Sequence, residues 1–425
     1  MASWRFSVGN LLSRAPAAPV AVSPAVADTL LPLTNLGSGY PDGQGGLAWR
    51  SDGAYAIDFD INLLAATSTR TDAPTGWADL LNILGGTPGL PANPPSWGNY
   101  GGRNPALRLY RPVVQYVDVM PGEAVKLNAS IRWPAAAAGA TGIRVRVIDG
   151  WSGKGWNGSA WVDAGVLDSQ LVADTWKDIT EQIDPDPGRA ERSTYAVIIE
   201  PIAAAFDATT YCYASLNGAA GSPALVAELD TVALVGHNVP EGATVTLAPT
   251  AGLSLAIIPT QPSAHAITGI SQLVQTWRLS IQMPAGNQPR PVLGEVWLGK
   301  ARTLLGGSPV LPISLTEGDP SQVRVEGAGG RLDVLGSGTP ARASMMLQFT
   351  FDTAAYRQGR NEVARLTRHG EEPLLLLPSE SFEGAGRLYH GRLGQEVAYS
   401  RVSPGTDDAL RSFTWEFEEG PLAAP

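Results

Sequence analysis

The chain has 425 residues, 44% of them hydrophobic and 16% charged, so it is globular, lightly charged and long enough for about two to four domains. A formal net charge of −10 argues against a nucleic-acid-binding surface, which needs a basic face to displace counterions. A single cysteine, Cys212, excludes an internal disulfide and a cysteine-built metal site. No run of about 18 apolar residues exists, so no bilayer-spanning helix is expected. Met1–Leu12 is interrupted by Trp4, Arg5, Ser7 and Asn10 and does not read as a leader.

In chain order, a short strand over Trp4 to Val8 precedes the tract Ala15-Pro-Ala-Ala-Pro-Val-Ala-Val-Ser-Pro24. Prolines at that density exclude helix and central strand, so an extended arm is expected, free or lying on a neighbouring subunit. Gly37 to Gly46 is a glycine-rich loop; no helix follows it, which argues against a phosphate cradle. Tyr55, Ile57, Phe59 and Ile61 alternate with Ala56, Asp58 and Asp60, a period-2 strand signal. Trp77 to Leu84 reads as a short helix in a loop-rich stretch.

Strands then recur. Val125, Leu127, Ala129, Ile131 and Trp133 form one face; Ile143, Val145 and Val147 alternate with Arg144 and Arg146. Asp174 to Ile179, Tyr195 to Glu200 and Thr210 to Ala214 follow, the last placing Cys212 as a buried, inert thiol between Tyr211 and Tyr213. Short strands with one polar face indicate an antiparallel jelly roll. Further on, Leu229 to Leu247 reads as a β-hairpin turning at Val239-Pro-Glu-Gly242. Pro259 to Ser263 is a linker, and a last β-rich domain opens with Trp277, Leu279, Ile281 and Met283 facing inward. It contains Leu374 to Leu377 as a buried strand, a helix over Glu362 to Arg368 and a final strand with Phe413, Trp415 and Phe417 inward.

The fold class is therefore all-β, with multiple antiparallel β-sandwich or jelly-roll domains. The hairpin lacks partners nearby, whereas residues 48–61 match it in character far upstream. One sandwich split by an inserted sandwich accounts for this: an arm over 1–27, a split sandwich from 28–61 and 225–258, an inserted jelly roll over 62–224 and a C-terminal domain over 264–425.

Chemistry is sparse. Four histidines, His237, His265, His369 and His390, are scattered without metal-ligand spacing, and no zincin, nucleophile-elbow or P-loop motif occurs. Asp58 with Asp60, and Asp184 with Asp186, are carboxylate pairs best read as a solvated face and a turn. No cofactor and no metal is implied. The most informative stretch is Asp149 to Trp161, where Trp151, Trp156 and Trp161 recur every five residues among glycines. Flat indoles can stack on sugar rings, with Lys154, Asn157 and Ser159 as hydrogen-bond donors; the alternative is a hairpin whose tryptophans cover the sandwich edge.

Several segments resemble virion structural proteins of tailed bacteriophages and gene transfer agents: Leu31-Pro-Leu-Thr-Asn-Leu36, residues 48–60, Asp230 to Asn238, Ala243 to Leu247, Trp277 to Ile281, Gly294 to Gly299, Pro373 to Pro378 and Leu388 to Gly391. Val117-Asp-Val-Met-Pro-Gly-Glu-Ala-Val125 is similar to carbohydrate-binding-module-like jelly rolls. The resemblance implies a tail-tip or baseplate component, not an enzyme, made in the host cytoplasm and located in the virion tail. Its partners would be other tail and baseplate proteins and copies of itself in a symmetric assembly, with a host surface glycan as a further partner and no nucleic acid or membrane insertion. The competing readings are a glycan-binding receptor-recognition tail protein, with Trp151, Lys154, Trp156, Asn157 and Trp161 as contacts, and a polysaccharide hydrolase with a β-sandwich accessory domain.

Overall fold

The computed structural model describes residues 4–14, 20–23, 49–50, 55–61, 63–64, 78–80, 95–187, 189, 191–215, 224–235, 243–249, 255–257, 264–273, 276–282, 292–293, 295–303, 314–318, 323–326, 332–335, 342–351, 362–368, 372–378, 388–401 and 411–419. The chain is all-β and built from several antiparallel sheets.

Residues 95–215 contain the two main sheets of a jelly roll. One sheet runs, in spatial order, Trp176–Ile183, Val125–Arg132, Cys212–Ser215, Arg103–Leu109, Ser96–Tyr100, with Ala224–Ala227 also pairing on Val125–Arg132. The facing sheet runs Trp161–Val162, Gly155–Trp156, Ala140–Asp149, Ser193–Ala203, Val113–Val119, Ala78–Asp79. Alternation sets the inward faces. Val125, Leu127, Ala129 and Ile131 from the first sheet meet Ile143, Val145, Val147, Val197 and Ile199 from the second in one buried cluster. Each such aliphatic side chain contributes about 1.5–3 kcal/mol by leaving water. Ala78–Asp79 is an edge strand against Val113 and Val114, so the helix expected over 77–84 does not include these two residues; Leu80 is helical, and 81–84 lie outside the described residues. An edge strand needs only one neighbour, and that pairing overrides local helix propensity.

The expected hairpin from Leu229 to Leu247 is not formed. Leu229–Val235 lies between Ala264–Gln272 and Glu295–Gly299, while Thr244–Pro249 lies between Leu255–Ile257 and Thr276–Gln282. Both strands are therefore saturated by other partners in separate sheets. Tyr55–Asp60 joins the second of these sheets through Thr276–Gln282, so it shares a sheet with Thr244–Pro249, one strand away. Val232 and Leu234 from one sheet and Val245, Leu247, Trp277 and Leu279 from the other belong to the same core cluster as the jelly roll. The turn at 239–242 and the loop at 37–46 lie outside the described residues.

The N-terminal stretch is bound to its own chain. Arg5–Val8 is a central strand between Ala301–Thr303 and Leu374–Leu377 in a seven-stranded sheet that also holds Tyr389–Arg401, Arg411–Glu419, Arg342–Phe351 and Ser314–Gly318. Asn10 donates to the Val296 carbonyl at 2.9 Å and accepts from the Leu298 N–H at 3.1 Å, and Trp297 Nε1 donates to Ser7 Oγ at 3.1 Å. Val20–Ser23, bracketed by Pro19 and Pro24, pairs with Tyr55–Asp60 at the edge of its sheet, the position that proline-flanked strands tolerate. Where it is described, the arm lies on its own chain. Leu374–Leu377 is buried throughout, as its four leucines require, and residues 362–366 are helical.

The jelly roll is held to the rest by polar contacts from two of its segments, 118–123 and 191–192. Arg14 donates to both carboxylate oxygens of Glu123, at 3.0 and 2.7 Å, and to the Asp118 carbonyl at 3.0 Å. Their side chains are 7% and 1% exposed. Arg192 bridges Asp118 and Glu372, both at 2.6 Å, and Arg365 meets Glu191 at 2.8 Å. Lys300 donates to the Gly122 carbonyl at 3.0 Å, and Arg302 to the Pro121 carbonyl. Burial pulls the Arg14 guanidinium down, but the Glu123 carboxylate outweighs it and holds the guanidinium above its ordinary range.

Candidate functional site

The tryptophan loop follows the strand Ala140–Asp149. Asp149 is fully buried and acts as its hub. It accepts from the Trp151 N–H at 3.3 Å, from Ser152 Oγ at 3.0 Å, from the Ser193 hydroxyl and from Arg189 at 3.5 Å. Arg189, also fully buried, donates to the Met120 carbonyl at 2.9 Å and lies 5.1 Å from the Tyr195 ring centroid. Burial raises the Tyr195 hydroxyl well above the ordinary tyrosine range. Gly155 and Gly165 touch backbone to backbone: a Cβ at Gly155 would sit 2.5 Å from the Gly165 oxygen, so neither position accepts a side chain.

The five residues expected at this site separate. Trp156 is 4% exposed; its Nε1 reaches Glu181 at 3.4 Å and its ring meets Trp161 edge-on at 5.5 Å. Trp161 is half-buried, donates to the Asp184 carbonyl at 2.9 Å and leans on Tyr195 at 5.2 Å. Trp156 thus bridges its sheet to the edge strand Trp176–Ile183 of the other, Trp161 reaches Asp184 just past that strand's end, and the two rings pack on each other. Trp151 is 48% exposed, and Lys154 and Asn157 are exposed beside it. Asn157 Oδ1 is engaged by the Ser159 and Ala160 N–H groups at 3.0 and 2.9 Å, which closes the hairpin tip. Asp186 opens a turn, its carbonyl accepting from the Arg189 N–H at 3.0 Å, and Asp184 lies just before it, past the end of the strand Trp176–Ile183. The side chains of Asp58 and Asp60, and the residues His237 and His369, lie outside what is described. His390 packs edge-on against Trp297 at 5.7 Å. Among the described residues no cluster of His, Cys, Asp and Glu has metal-ligand geometry. Burial pushes the Cys212 thiol well above its ordinary range, which removes the nucleophilic thiolate.

A second constellation sits on the other sheet, and local sequence patterns do not single it out. Tyr213 pairs in register with both Arg108 and Arg132. Tyr100 and Tyr213 stack, with centroids 5.1 Å apart and planes within 3°. The Arg108 guanidinium lies 4.1 Å from the Tyr211 centroid, 4.9 Å from Tyr110 and 5.8 Å from Tyr100. Arg103 lies over Trp176 at 4.6 Å and pairs with Asp178 at 3.0 Å; Arg132 pairs with Asp174 at 3.1 Å. Trp176 Nε1 and Arg132 Nη1 both donate to the Gly101 carbonyl at 2.8 Å, which fixes the tip of the hairpin joining Ser96–Tyr100 to Arg103–Leu109. The four tyrosines, Trp176 and Arg108 are all half-buried. A surface of aromatic rings, cations and carboxylates has the groups for stacking and for charge-assisted hydrogen bonds.

These features define an all-β protein of several sandwiches with an aromatic face on its jelly roll. No protein-family model matches the chain, and no curated protein matches it. Among solved structures it is similar to the N-terminal CBM22-1–CBM22-2 tandem domain from Paenibacillus barcinonensis Xyn10C, at 11% identity over 56% of this chain and 97% of that one, with a TM-score of 0.24. It is also similar to an allantoicase, at 12% identity over 44% of this chain and 77% of that one, with a TM-score of 0.14. At those scores the likenesses are distant, and functional inference returns to the residues of this chain.

Proposed function

We propose that this chain is a structural component of a phage virion, placed at the tail tip or baseplate, whose inserted jelly roll is held in a fixed orientation toward the host surface. The observation that carries this reading is the buried Arg14–Glu123 pair, with its flanking contacts to Asp118, Pro121, Gly122, Glu191 and Arg192. A module tethered for passive solubility needs no such fastening; one that must transmit load or present a surface at a set angle does. The resemblance of the split sandwich and C-terminal segments to tail-end proteins supports the same reading. In this role the chain's partners are other tail proteins and further copies of itself. The test is mass spectrometry of purified particles from the host that encodes it, followed by localisation with an antibody fragment in electron micrographs. Labelling at the tail end is expected; absence of the chain from particles overturns the reading.

The aromatic face favours a second reading, a receptor-binding tail protein that attaches to surface glycan. Half-exposed tyrosines and Trp176 beside paired guanidiniums and carboxylates offer both stacking surface and hydrogen-bonding groups. Affinity electrophoresis of the whole chain through gels containing bacterial polysaccharides tests it. Retardation supports it, and unchanged mobility in every gel removes it.

A further inference from the structure

Three arginines lie on the strands of the sheet that carries the tyrosines: Arg103, Arg108 and Arg132. Two are neutralised locally, Arg103 by Asp178 and Arg132 by Asp174. Arg108 has no carboxylate partner among the described residues. Its guanidinium is held instead by the rings of Tyr211, Tyr110 and Tyr100, and its Nε is buried without a hydrogen-bond acceptor. Ring faces attract a cation, but they return only part of the hydration it gives up and accept none of its N–H groups in the plane of the guanidinium. This is a chain with a net charge of −10, so an arginine left without an acid is not the residue of a general cation excess. A planar fork of donors set among aromatic rings, with no carboxylate against it among the described residues, is arranged for an anion that also carries an apolar face.

We propose that Arg108 and its tyrosines form a binding site for a carboxylate-bearing sugar unit of an acidic polysaccharide. The carboxylate accepts from the Arg108 fork, the geometry in which guanidinium is selective for planar anions. The C–H face of the sugar ring lies on tyrosine. The stacked Tyr100–Tyr213 pair, with parallel planes, holds the floor of the site rigid. This inference rests on the glycan-binding reading and names the substrate class for it.

The experiment uses the full chain and two acidic polymers, polygalacturonate and alginate, each with free carboxyl groups and as its methyl ester, beside neutral dextran and mannan. Affinity is read by calorimetry or affinity electrophoresis. The expected result is binding to a free-acid form that weakens about tenfold to a hundredfold on esterification, the scale of a lost charge-assisted hydrogen bond. Raised salt weakens the acid form only. Arg108→Gln lowers acid-form affinity to that of the ester, with its melting temperature checked by circular dichroism; Arg108→Lys recovers part of the loss. The esterification comparison uses the unaltered chain, so it decides the matter even where the variants do not fold. Equal affinity for acid and ester overturns the carboxylate inference and leaves glycan binding standing. Binding to neutral polymers alone does the same. Binding to none of the polymers overturns both. Wild-type affinity in a folded Arg108→Gln chain also overturns the site assignment.

Discussion

The backbone N–H of Leu63 donates to the carbonyl of Leu225 at 2.8 Å, so the chain entering the jelly roll and the chain leaving it are hydrogen-bonded neighbours. A second backbone bond, from the Glu228 N–H to the Ala124 carbonyl at 2.9 Å, ties the exit to the strand Val125–Arg132. Leu63, Leu64, Leu225, Val226 and Leu229 are all buried in the cluster that continues into both the jelly roll and the sheets holding Leu229–Val235 and Thr244–Pro249. A shared core makes a shared cooperative unit. Hydrogen exchange in rising urea is therefore expected to release the amides of Val125–Arg132 and Leu229–Val235 in one step. Release of the jelly-roll strand at clearly lower urea would show that the two units unfold separately.

The Arg14–Glu123 pair sets the strength of the attachment. Glu123 also accepts from the Met120 N–H at 3.0 Å, so its carboxylate is committed to this position. Arg14→Met leaves that buried charge unpaired, which costs about 3–5 kcal/mol. Adding Glu123→Gln removes the charge and restores most of the loss, since replacing both partners of a buried pair is often near neutral. Urea denaturation of the single and double variants measures this. A single variant within about 1 kcal/mol of the parent would mean that the remaining contacts carry the junction.

The sequence is most legible where a strand has one buried face. Val125, Leu127, Ala129 and Ile131, read as an inward row, are all at most 3% exposed, and Ile143, Val145 and Val147 are fully buried. Trp277 and Leu279 face inward as their alternation requires. Alternation fixes a strand's face but not its neighbour. That is why Leu229–Val235 and Thr244–Pro249, each read correctly as a strand, were expected to pair and do not. The same gap hid the tyrosine face. Tyr211 and Tyr213 are legible as residues opposite the Cys212 thiol, but only the pairing of Tyr213 with Arg108, 105 positions earlier, brings the guanidinium among them. The fastening of 118–123 to Arg14, Lys300 and Arg302 joins three distant segments and leaves no local pattern.

Trp151 and Trp156 look alike in sequence and sit in opposite environments, 48% and 4% exposed. Trp156→Ala empties an interior position beside Trp161 and costs about 3–5 kcal/mol. Trp151→Ala stays within about 0.5 kcal/mol. Thermal melts followed by circular dichroism distinguish them, and they bear on any binding assay: lost affinity in the Trp156 variant reports unfolding unless the melt is unchanged. Equal stability of the two variants would contradict the bridging role given to Trp156.

Asp178 couples the tyrosine face to pH. Burial acts to raise its carboxyl, but the hydrogen bond from Ser130 and the Arg103 guanidinium outweigh that and hold it below the ordinary aspartate range. A folded-state value below the unfolded one means stability that is present above about pH 4 and lost as pH falls through the lower, folded value. Asp178→Asn removes this contribution. The parent is therefore expected to be more stable than the variant near neutrality, and the difference should shrink on acidification below about pH 4. Arg103 keeps its place over Trp176 in the variant, so the aromatic face itself should survive. Urea midpoints of both chains across that range test the claim; a difference that stays constant into strong acid would show that Asp178 is not held ionised by Ser130 and Arg103.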